Sequence, residues 1–234
     1  MQGILLVDKP AEWTSFDVVN YVRRIVATVE GKKPKNCKVG HSGTLDPFAT
    51  GLLVLLIGKE YTRRASEFSK LDKTYEMTMR LGQTSTTGDP EGDITDVSDA
   101  IPSRQQIEQA LLGLTGEIQQ IPPAFSAIKI NGVRAYKLAR DGKEVVIEAR
   151  PVTIHRLEVL EYAYPEVKLV TEVSSGTYIR TLVEDLGTAL ATGAYTISLR
   201  RSAIAGLSVD KAVAIKSISA ETISELLSAT PEAI

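Results

Sequence analysis

Hydrophobic and polar positions follow regular patterns along the chain, and each pattern predicts a different kind of element. Residues 52–57 are apolar at every position and stop at Gly58, which predicts a strand buried on both faces. Residues 74–81 alternate between apolar and polar side chains, which predicts a half-buried strand with Tyr75 on its apolar face. Shorter apolar runs predict further strands at 3–7, 152–160, 167–174 and 194–202.

Apolar residues at helical spacing predict the helices. Ser15 is the expected N-cap of a helix that buries one apolar stripe: Phe16, Val19, Val22, Ile25, Val26 and Val29. Ser103 and Gln106 have the spacing of a capping box and predict a second helix from that point. Two more helices are predicted at 177–190 and 221–228. Residues 31–43 and 83–96 are polar and rich in breakers, so they are predicted as loops.

These elements mix without a regular βαβ repeat, so the pattern favours the α+β class, with a mixed, mostly antiparallel sheet flanked by helices. A chain of 234 residues, 43 % of them hydrophobic, can bury a core without disulfides or metals. Cys37 is the single cysteine and there are two histidines, so neither an internal disulfide nor a structural zinc site is expected. No apolar run is long enough to span a membrane and no signal-peptide pattern is present, so a cytoplasmic protein is expected.

Charge is unevenly distributed along the chain. The net charge of −2 argues against indiscriminate nucleic-acid binding. Basic residues nevertheless gather at 21–40 and again at 129–143, while the stretch that follows Ser217 is acidic. The basic stretches are either solvated faces or contacts for an anionic partner, and the charge pattern alone leaves both interpretations open.

The stretch from Gly40 to Gly51 is the strongest candidate for chemistry. Three glycines and a proline enclose one carboxylate, Asp46, and His41 lies five positions before it. Glycine lets a backbone approach a ligand closely, and the proline after Asp46 favours an extended or turn conformation. A lone acid on a stiff loop beside a buried strand suits catalysis. The alternative is that Asp46 only caps a turn, as aspartate before proline often does.

Several motifs occur in order along almost the whole chain, from Gly3 to about Leu207. They are Gly3-Ile-Leu-Leu-Val-Asp-Lys-Pro10, Trp13-Thr-Ser-Phe-Asp-Val-Val19, the loop with His41 and Asp46, Lys73-Thr-Tyr75 with Leu81-Gly-Gln-Thr84, Gln120-Ile-Pro-Pro-Ala-Phe-Ser-Ala-Ile-Lys129 with Gly132 and Tyr136, Ser175-Gly-Thr-Tyr178-Ile-Arg180, and Leu199-Arg-Arg-Ser202. This ordered set closely resembles the bacterial tRNA pseudouridine-55 synthase family.

The resemblance implies an isomerase that converts one uridine in the T loop of transfer RNA to pseudouridine by base flipping. It implies the pseudouridine synthase fold, with a central cleft, and no cofactor or metal. Transfer RNA is the expected partner and a monomer the expected state. Residues 1–234 are expected to form a single catalytic domain in which 122–146 is an insertion that clasps RNA. The family's additional C-terminal RNA-binding domain is expected to be absent.

The resemblance also assigns the candidate site. Asp46 matches the catalytic aspartate, which either attacks the sugar covalently or abstracts a proton to give a glycal; the sequence leaves both routes open. Arg180 matches the arginine that pairs with this aspartate, and its alternative is an exposed helix arginine. Tyr75 matches an active-site tyrosine that stacks on the flipped uracil, and its alternative is core packing.

Further residues match positions that contact RNA. His41, Tyr178 and Leu199 match contacts to the target nucleotide; otherwise His41 is a surface residue and the other two belong to the core. The basic residues of the insertion are expected to contact phosphates: Lys129, Arg134, Lys137 and Arg140. Glu12 departs from the family pattern because it replaces a glycine that is common before the Trp13 motif.

Two other functions fit parts of this pattern. A non-catalytic RNA-binding factor that helps transfer RNA to fold would use the same basic stretches. An enzyme acting on free uridine would use Asp46 but has no need for a basic insertion. Asp46, Tyr75 and Arg180 together argue against the non-catalytic factor, and the basic insertion argues against the enzyme for free uridine.

Overall fold

The structure is a computed structural model that describes residues 1–126, 128–130, 132–143 and 145–228. Positions 127, 131 and 144 of the predicted insertion lie outside the described residues, as do residues 229–234 of the acidic tail. The chain divides into a first unit, Met1–Tyr75 with Leu199–Ile234, and a second unit, Glu76–Ser198.

The strands and helices of the described residues are numbered here in chain order. The strands are β1 (Gly3–Lys9), β2 (Val39–His41), β3 (Thr50–Ile57), β4 (Lys73–Leu81), β5 (Gln83–Ser85), β6 (Ile94–Asp96), β7 (Gly116–Gln120), β8 (Lys129–Ile130), β9 (Val133–Arg134), β10 (Arg150–Ala163), β11 (Glu166–Val173), β12 (Ala194–Ile204), β13 (Leu207–Ser208) and β14 (Val213–Ala214). The helices are α1 (Ser15–Glu30), α2 (Lys59–Arg63), α3 (Ala65–Ser69), α4 (Arg104–Gly113), α5 (Ala135–Arg140), α6 (Ile179–Ala189) and α7 (Ile223–Leu226).

The first unit is built around β3. Its strand order is β14-β1-β3-β12, with β2 on β3 and β13 on β12. β1 and β2 run antiparallel to β3, whereas β12 runs parallel to it. Every residue from Leu52 to Ile57 is 0 % exposed, which confirms the prediction of a strand buried on both faces. Leu53, Leu55 and Ile57 pack on one face with α1, and the alternate residues pack on the other with Phe68.

Helix α1 forms where it was predicted; its cap was predicted wrongly, and its buried stripe is confirmed at Val19, Val22 and Val26 but wrong at its two ends. Thr14, not Ser15, is the N-cap, and it forms a capping box with Asp17. Phe16 is 58 % exposed and Val29 41 % exposed. The buried stripe is Val18, Val19, Val22 and Val26 with Ala27. This stripe packs against β3, and that contact, rather than spacing alone, decides which face of the helix is buried.

The second unit has the strand order β4-β11-β10-β7. β10 pairs antiparallel with both β11 and β7. The alternation of β4 is confirmed, since Tyr75, Met77, Met79 and Leu81 are all buried. The capping box of Ser103 and Gln106 is also confirmed at the start of α4.

Two stretches predicted as loops contain strands. β2 forms within 31–43, where it pairs with β3, and β5 pairs with β6 within 83–96. Both errors arise because short polar strands carry no apolar periodicity; their partners supply the hydrogen bonds that define them. Pairing in both units is mostly antiparallel with helices beside it, so the α+β class is confirmed. None of the helices in the described ranges is long and apolar enough to cross a membrane.

Candidate active site

Asp46 lies in the connection between β2 and β3, in residues 42–49 of the first unit, which we call the Asp46 loop. The Ala49 amide donates to the Asp46 carbonyl oxygen at 3.1 Å, which closes a turn with Pro47 at its second position. Asp46 is half-buried. The turn that the Asp-Pro pair predicts is therefore present, and it holds the acid where solvent still reaches it.

The backbone on both sides of Asp46 is held by residues from the N-terminal part of the chain. The Ser15 hydroxyl donates to the Leu45 carbonyl at 3.0 Å and accepts from the Leu45 amide at 2.8 Å. On the other side, the Pro47 carbonyl accepts from the Glu12 amide at 2.9 Å and from Lys9 Nζ at 3.2 Å. Ser15 was predicted as a helix cap, but its hydroxyl fixes the Asp46 loop.

Lys9 is a fully buried cation that ties three backbone segments together. It is 0 % exposed, and Nζ also donates to the carbonyls of Pro10 at 2.9 Å and Trp13 at 2.6 Å. Carbonyl oxygens are the partners that a buried ammonium needs. Lys9 thereby joins the start of the chain to the turn that follows Asp46.

Arg201 holds the first half of the Asp46 loop. Its Nε donates to the Leu52 carbonyl at 2.8 Å, and its terminal nitrogens donate to the carbonyls of Gly43 at 3.1 Å and Thr44 at 3.5 Å. A Cβ at Gly43 would lie 3.5 Å from Arg201 and 3.8 Å from Lys73, so both cations lie beside this part of the loop. Arg201 lies in the Leu199-Arg-Arg-Ser202 motif, but spacing did not identify its role.

Lys73 is a second buried cation beside the Asp46 loop. Its Nζ donates to the carbonyls of Ser69 at 3.0 Å and Leu71 at 2.5 Å. Burial, with the nearby Arg201 charge, lowers the pKa of Lys73 to about 8. This ammonium therefore titrates close to neutral pH.

The other candidates of the first unit lie on strands. His41 ends β2, and its Nδ1 accepts from the Gly43 amide at 3.3 Å. Tyr75 lies on β4 and Leu199 on β12, and both are buried. His41 therefore lies directly before the Asp46 loop.

In the second unit, Arg180 occupies the first turn of α6 and is buried, with 4 % exposure. The alternative of an exposed helix arginine is therefore wrong. Its guanidinium donates to the carbonyls of Thr87 at 2.7 Å and Phe125 at 2.9 Å. The Phe125 contact links Arg180 to the beginning of the predicted insertion.

Asp89 is a functional candidate that the sequence analysis missed. Its carboxylate lies 3.3 Å from the Arg180 guanidinium, and both side chains are 5 % exposed. The other carboxylate oxygen accepts from the Thr87 hydroxyl at 2.6 Å and from the Glu91 amide at 3.0 Å. Asp89 sits in Gly88-Asp89-Pro90, which repeats the Asp-Pro pair of the Asp46 loop, and that repeat was the available sequence signal.

Gly88 permits the close packing around Arg180. Its φ is +72°, and a Cβ there would lie 2.7 Å from the Glu184 carboxylate. The Gly88 carbonyl accepts from the Thr196 amide at 3.0 Å. Burial raises the pKa of Glu184, and the Arg180 charge opposes that rise.

Tyr178 precedes α6 as its N-cap residue and is held by Gln120. The Gln120 amide group donates to the Tyr178 carbonyl at 3.1 Å and accepts from the Tyr178 amide at 2.7 Å. Because both backbone groups are bound, the start of α6, including Arg180, has a fixed position. Gln120 is buried, and its role was not predicted.

The basic residues of the insertion are all exposed: Lys129, Arg134, Lys137 and Arg140. Lys129 and Arg134 are register partners in the β8–β9 hairpin, and the Arg140 guanidinium lies 5.8 Å from the Tyr136 ring centre. Like charges directly opposite each other destabilise a hairpin. An anionic ligand would relieve that repulsion. Among the described residues, no three His, Cys, Asp or Glu side chains gather as metal ligands.

Comparison with known proteins matches this chain to pseudouridine synthases. The sequence model described as TruB family pseudouridylate synthase (N terminal domain) matches residues 30–179. A tRNA pseudouridine synthase B from Arthrobacter sp. (strain FB24) is 44 % identical over 228 residues, which are 94 % of this chain and 72 % of that protein. One from Mycobacterium sp. (strain KMS) is 45 % identical over 224 residues, again 94 % and 72 %.

A solved structure is similar to this chain in fold. A chain in the crystal structure of a Cbf5–Nop10–Gar1 complex is similar, with a TM-score of 0.69 and 25 % identity. The match covers 94 % of this chain, which spans about half of that chain's length (54 %).

Proposed function

Because the chain belongs to the TruB family of pseudouridylate synthases, we propose that it isomerises a uridine in the T loop of transfer RNA to pseudouridine. The family predicted from the ordered motifs is the family found by comparison. Curated relatives that share 44–45 % of their residues with this chain carry the name tRNA pseudouridine synthase B.

The reaction rearranges one nucleotide without adding or removing atoms. The N1–C1′ bond breaks, the uracil turns, and a C5–C1′ bond forms; the proton on C5 is lost and N1 gains one. The target base must leave its stack to be reached. Asp46 is the proposed catalytic carboxylate, either as a nucleophile toward C1′ or as a base toward the sugar.

The observation that carries this proposal is the construction of the Asp46 loop. Ser15 binds Leu45 on one side of Asp46, and Lys9 binds Pro47 on the other. A catalytic group needs a fixed position with access to its substrate. The half-buried acid on a backbone held at both neighbours supports that role.

Arg180 is the proposed partner of the catalytic carboxylate, and Tyr75 the proposed stacking partner of the everted uracil. A guanidinium keeps a nearby carboxylate ionised. Stacking of a base on an aromatic ring is worth about 1–3 kcal/mol. His41, Tyr178 and Leu199 are proposed contacts of the target nucleotide.

The insertion, residues 122–146, is the proposed clasp for the T stem-loop. Its exposed cations Lys129, Arg134, Lys137 and Arg140 would contact phosphates, and the like charges paired across the β8–β9 hairpin support this. We further propose that the chain acts as a single catalytic domain, as a monomer, in the cytoplasm. Size-exclusion chromatography with light scattering tests the monomer.

The function is tested with unmodified transfer RNA as substrate. The parent protein should form pseudouridine in the T loop, and Asp46→Asn should form none, as mapped by chemical modification and primer extension. Asp99→Asn makes the same chemical change at an exposed aspartate and should keep full activity. No product from the parent, or equal product from Asp46→Asn, would reject the proposal.

The same samples separate the alternative functions. A non-catalytic folding factor would give no product while improving the folding of transfer RNA, and Asp46→Asn would preserve that effect. If the protein acted on free uridine, added uridine would compete with transfer RNA and slow its conversion. We expect added uridine to leave the conversion of transfer RNA unaffected.

A further inference from the structure

A basic surface cavity lies in the first unit, outside the Asp46 loop and the insertion. Its volume is about 340 Å³. It is lined by residues of α1, α2, β2 and the segment that precedes β2: Arg23, Lys35, Cys37, Lys38, Val39, Gly40 and Thr62. Three of these residues are cations and none is acidic, so the cavity has a positive potential.

The three cations lack acidic partners within the described part of the chain. Arg23 donates to the Asn20 side-chain oxygen at 2.8 Å and to the Val39 carbonyl at 3.0 Å, which are both neutral acceptors. Lys35 and Lys38 take part in none of the ion pairs or side-chain hydrogen bonds of the described residues. Holding like charges together is unfavourable unless an anion binds between them.

Arg23 is held in position and still has donors to offer. Its guanidinium lies 5.6 Å from the Phe16 ring centre, and this contact explains what the exposed Phe16 does. A guanidinium has five N–H donors, and its two observed bonds leave several for a ligand. Arginine with lysines suits the oxygens of a phosphate group.

The cavity is tied rigidly to the strand that carries His41. Val39 and Gly40 line it and belong to β2, which ends at His41. Along a strand, two residues span about 7 Å. β2 is fixed to β3 by the pairs Val39–Ile57 and His41–Leu55, and the Gly58 amide donates to the Lys38 carbonyl at 2.8 Å.

We propose that this cavity binds a backbone phosphate of the transfer RNA substrate close to the target nucleotide. The inference rests on the proposed function. It adds a phosphate contact on the first unit to the phosphate contacts proposed for the insertion. A water molecule occupies about 30 Å³ in the liquid, so the cavity accommodates a phosphate with part of its hydration.

The test measures how RNA binding depends on salt. Lys35→Gln with Lys38→Gln, made in the Asp46→Asn background, is compared with Asp46→Asn alone by filter binding to unmodified transfer RNA. The control is Lys211→Gln with Lys216→Gln, which removes the same charge at exposed first-unit positions outside the cavity.

Each phosphate contact accounts for about threefold of the affinity lost between 50 and 200 mM salt. Asp46→Asn with both cavity lysines neutralised should therefore lose about threefold less affinity over that range than Asp46→Asn alone. Lys35→Arg with Lys38→Arg should restore the parent salt dependence. The control pair should leave it unchanged.

Equal salt dependence in the Gln pair and the parent would overturn the inference. The inference would also be overturned if Lys35→Arg with Lys38→Arg reduced the salt dependence of binding as much as the Gln pair does. A site for a phosphate requires positive charge and not lysine itself. Pseudouridine formation by the otherwise unaltered protein is measured separately. Its failure would reject the proposed function, whereas unchanged salt dependence would reject only the cavity.

Discussion

Two loops of this protein carry an aspartate followed by proline, and the protein treats them differently. In the Asp46 loop, side chains from elsewhere hold the neighbouring backbone, through Ser15 on Leu45 and Lys9 on Pro47. In residues 86–93, which we call the Asp89 loop, the carboxylate itself is held, by the Arg180 guanidinium, the Thr87 hydroxyl and the Glu91 amide.

This difference separates two uses of one local sequence. A carboxylate that accepts several bonds inside the protein is fixed as a structural anion, and Asp89 serves to hold Arg180. In the Asp46 loop, the bonds of Ser15 and Lys9 fix the backbone on either side of a half-buried acid, which a substrate can still reach. The pair of loops therefore distinguishes a positioning acid from a proposed catalytic acid.

The largest expected effect on stability comes from the Asp89 loop. Asp89→Asn removes the carboxylate charge that lies 3.3 Å from the buried Arg180 guanidinium, and breaking a buried ion pair costs about 3–5 kcal/mol. Urea unfolding of the parent and the variant measures this loss. Asp93→Asn, an exposed acid in the same loop, is the matched control and should change stability by less than about 0.5 kcal/mol. Similar stability in both variants would mean that Asp89 does not hold Arg180.

Ser15→Ala tests whether the backbone clamp holds the Asp46 loop. It removes two hydrogen bonds to the buried Leu45 backbone and should cost about 1–3 kcal/mol in unfolding free energy. The rate of pseudouridine formation should fall as well, because the loop would hold Asp46 less firmly. Ser66→Ala, at an exposed serine, should change neither property. An unaltered rate with Ser15→Ala would contradict the positioning role.

Lys73, beside the Asp46 loop, makes the unfolding free energy depend on pH. Its pKa is lowered to about 8 in the fold, so the unfolded chain binds more protons on this group above that pH. Its contribution to stability is therefore complete only above the ordinary lysine pKa and is lost as pH falls through about 8. Between pH 7.5 and 9.5 the parent should gain roughly 1 kcal/mol relative to Lys73→Met, allowing for solvent screening. Urea unfolding at both pH values, with Lys70→Met as the exposed control, checks this. A parallel pH response in parent and Lys73→Met would contradict it.

The smallest expected effect concerns Glu12, whose amide binds Pro47 after Asp46. Its φ is +66°, a left-handed conformation that costs a non-glycine residue about 1 kcal/mol. Glu12→Gly should therefore raise the unfolding free energy by less than about 1 kcal/mol and keep the bond to Pro47. Glu12→Ala removes the charge but keeps the strain, so it should not stabilise. If both variants stabilise equally, charge and not φ is responsible.

The sequence predicted the parts of the fold that depend on local pattern. β3 and β4 follow directly from their apolar positions, and α4 from its capping box. Spacing predicted the middle of the buried stripe of α1 but not its ends, because packing against β3 decides which side chains are covered there. β2 was missed because three polar-flanked residues become a strand only through pairing with β3.

The candidate site was predictable where glycine, proline and acid occur together, as around Asp46. Asp89 shares that pattern, but its burial depends on Arg180, which comes from a distant helix. The bonds of Ser15, Gln120 and Arg201 to backbone carbonyls likewise could not be predicted from the sequence, because any carbonyl can accept such a bond. Tertiary contacts decide such roles, and periodicity carries no information about them.

We propose that Asp46 performs the chemistry and is not merely part of RNA binding. Single-turnover conversion of saturating unmodified transfer RNA by the parent and by Asp46→Asn tests it most directly, with the dissociation constant measured on the same samples. Pseudouridine formation by Asp46→Asn should be at least about a thousandfold slower, with the dissociation constant changed by less than about threefold. Conversion by Asp46→Asn at a rate near that of the parent would contradict it.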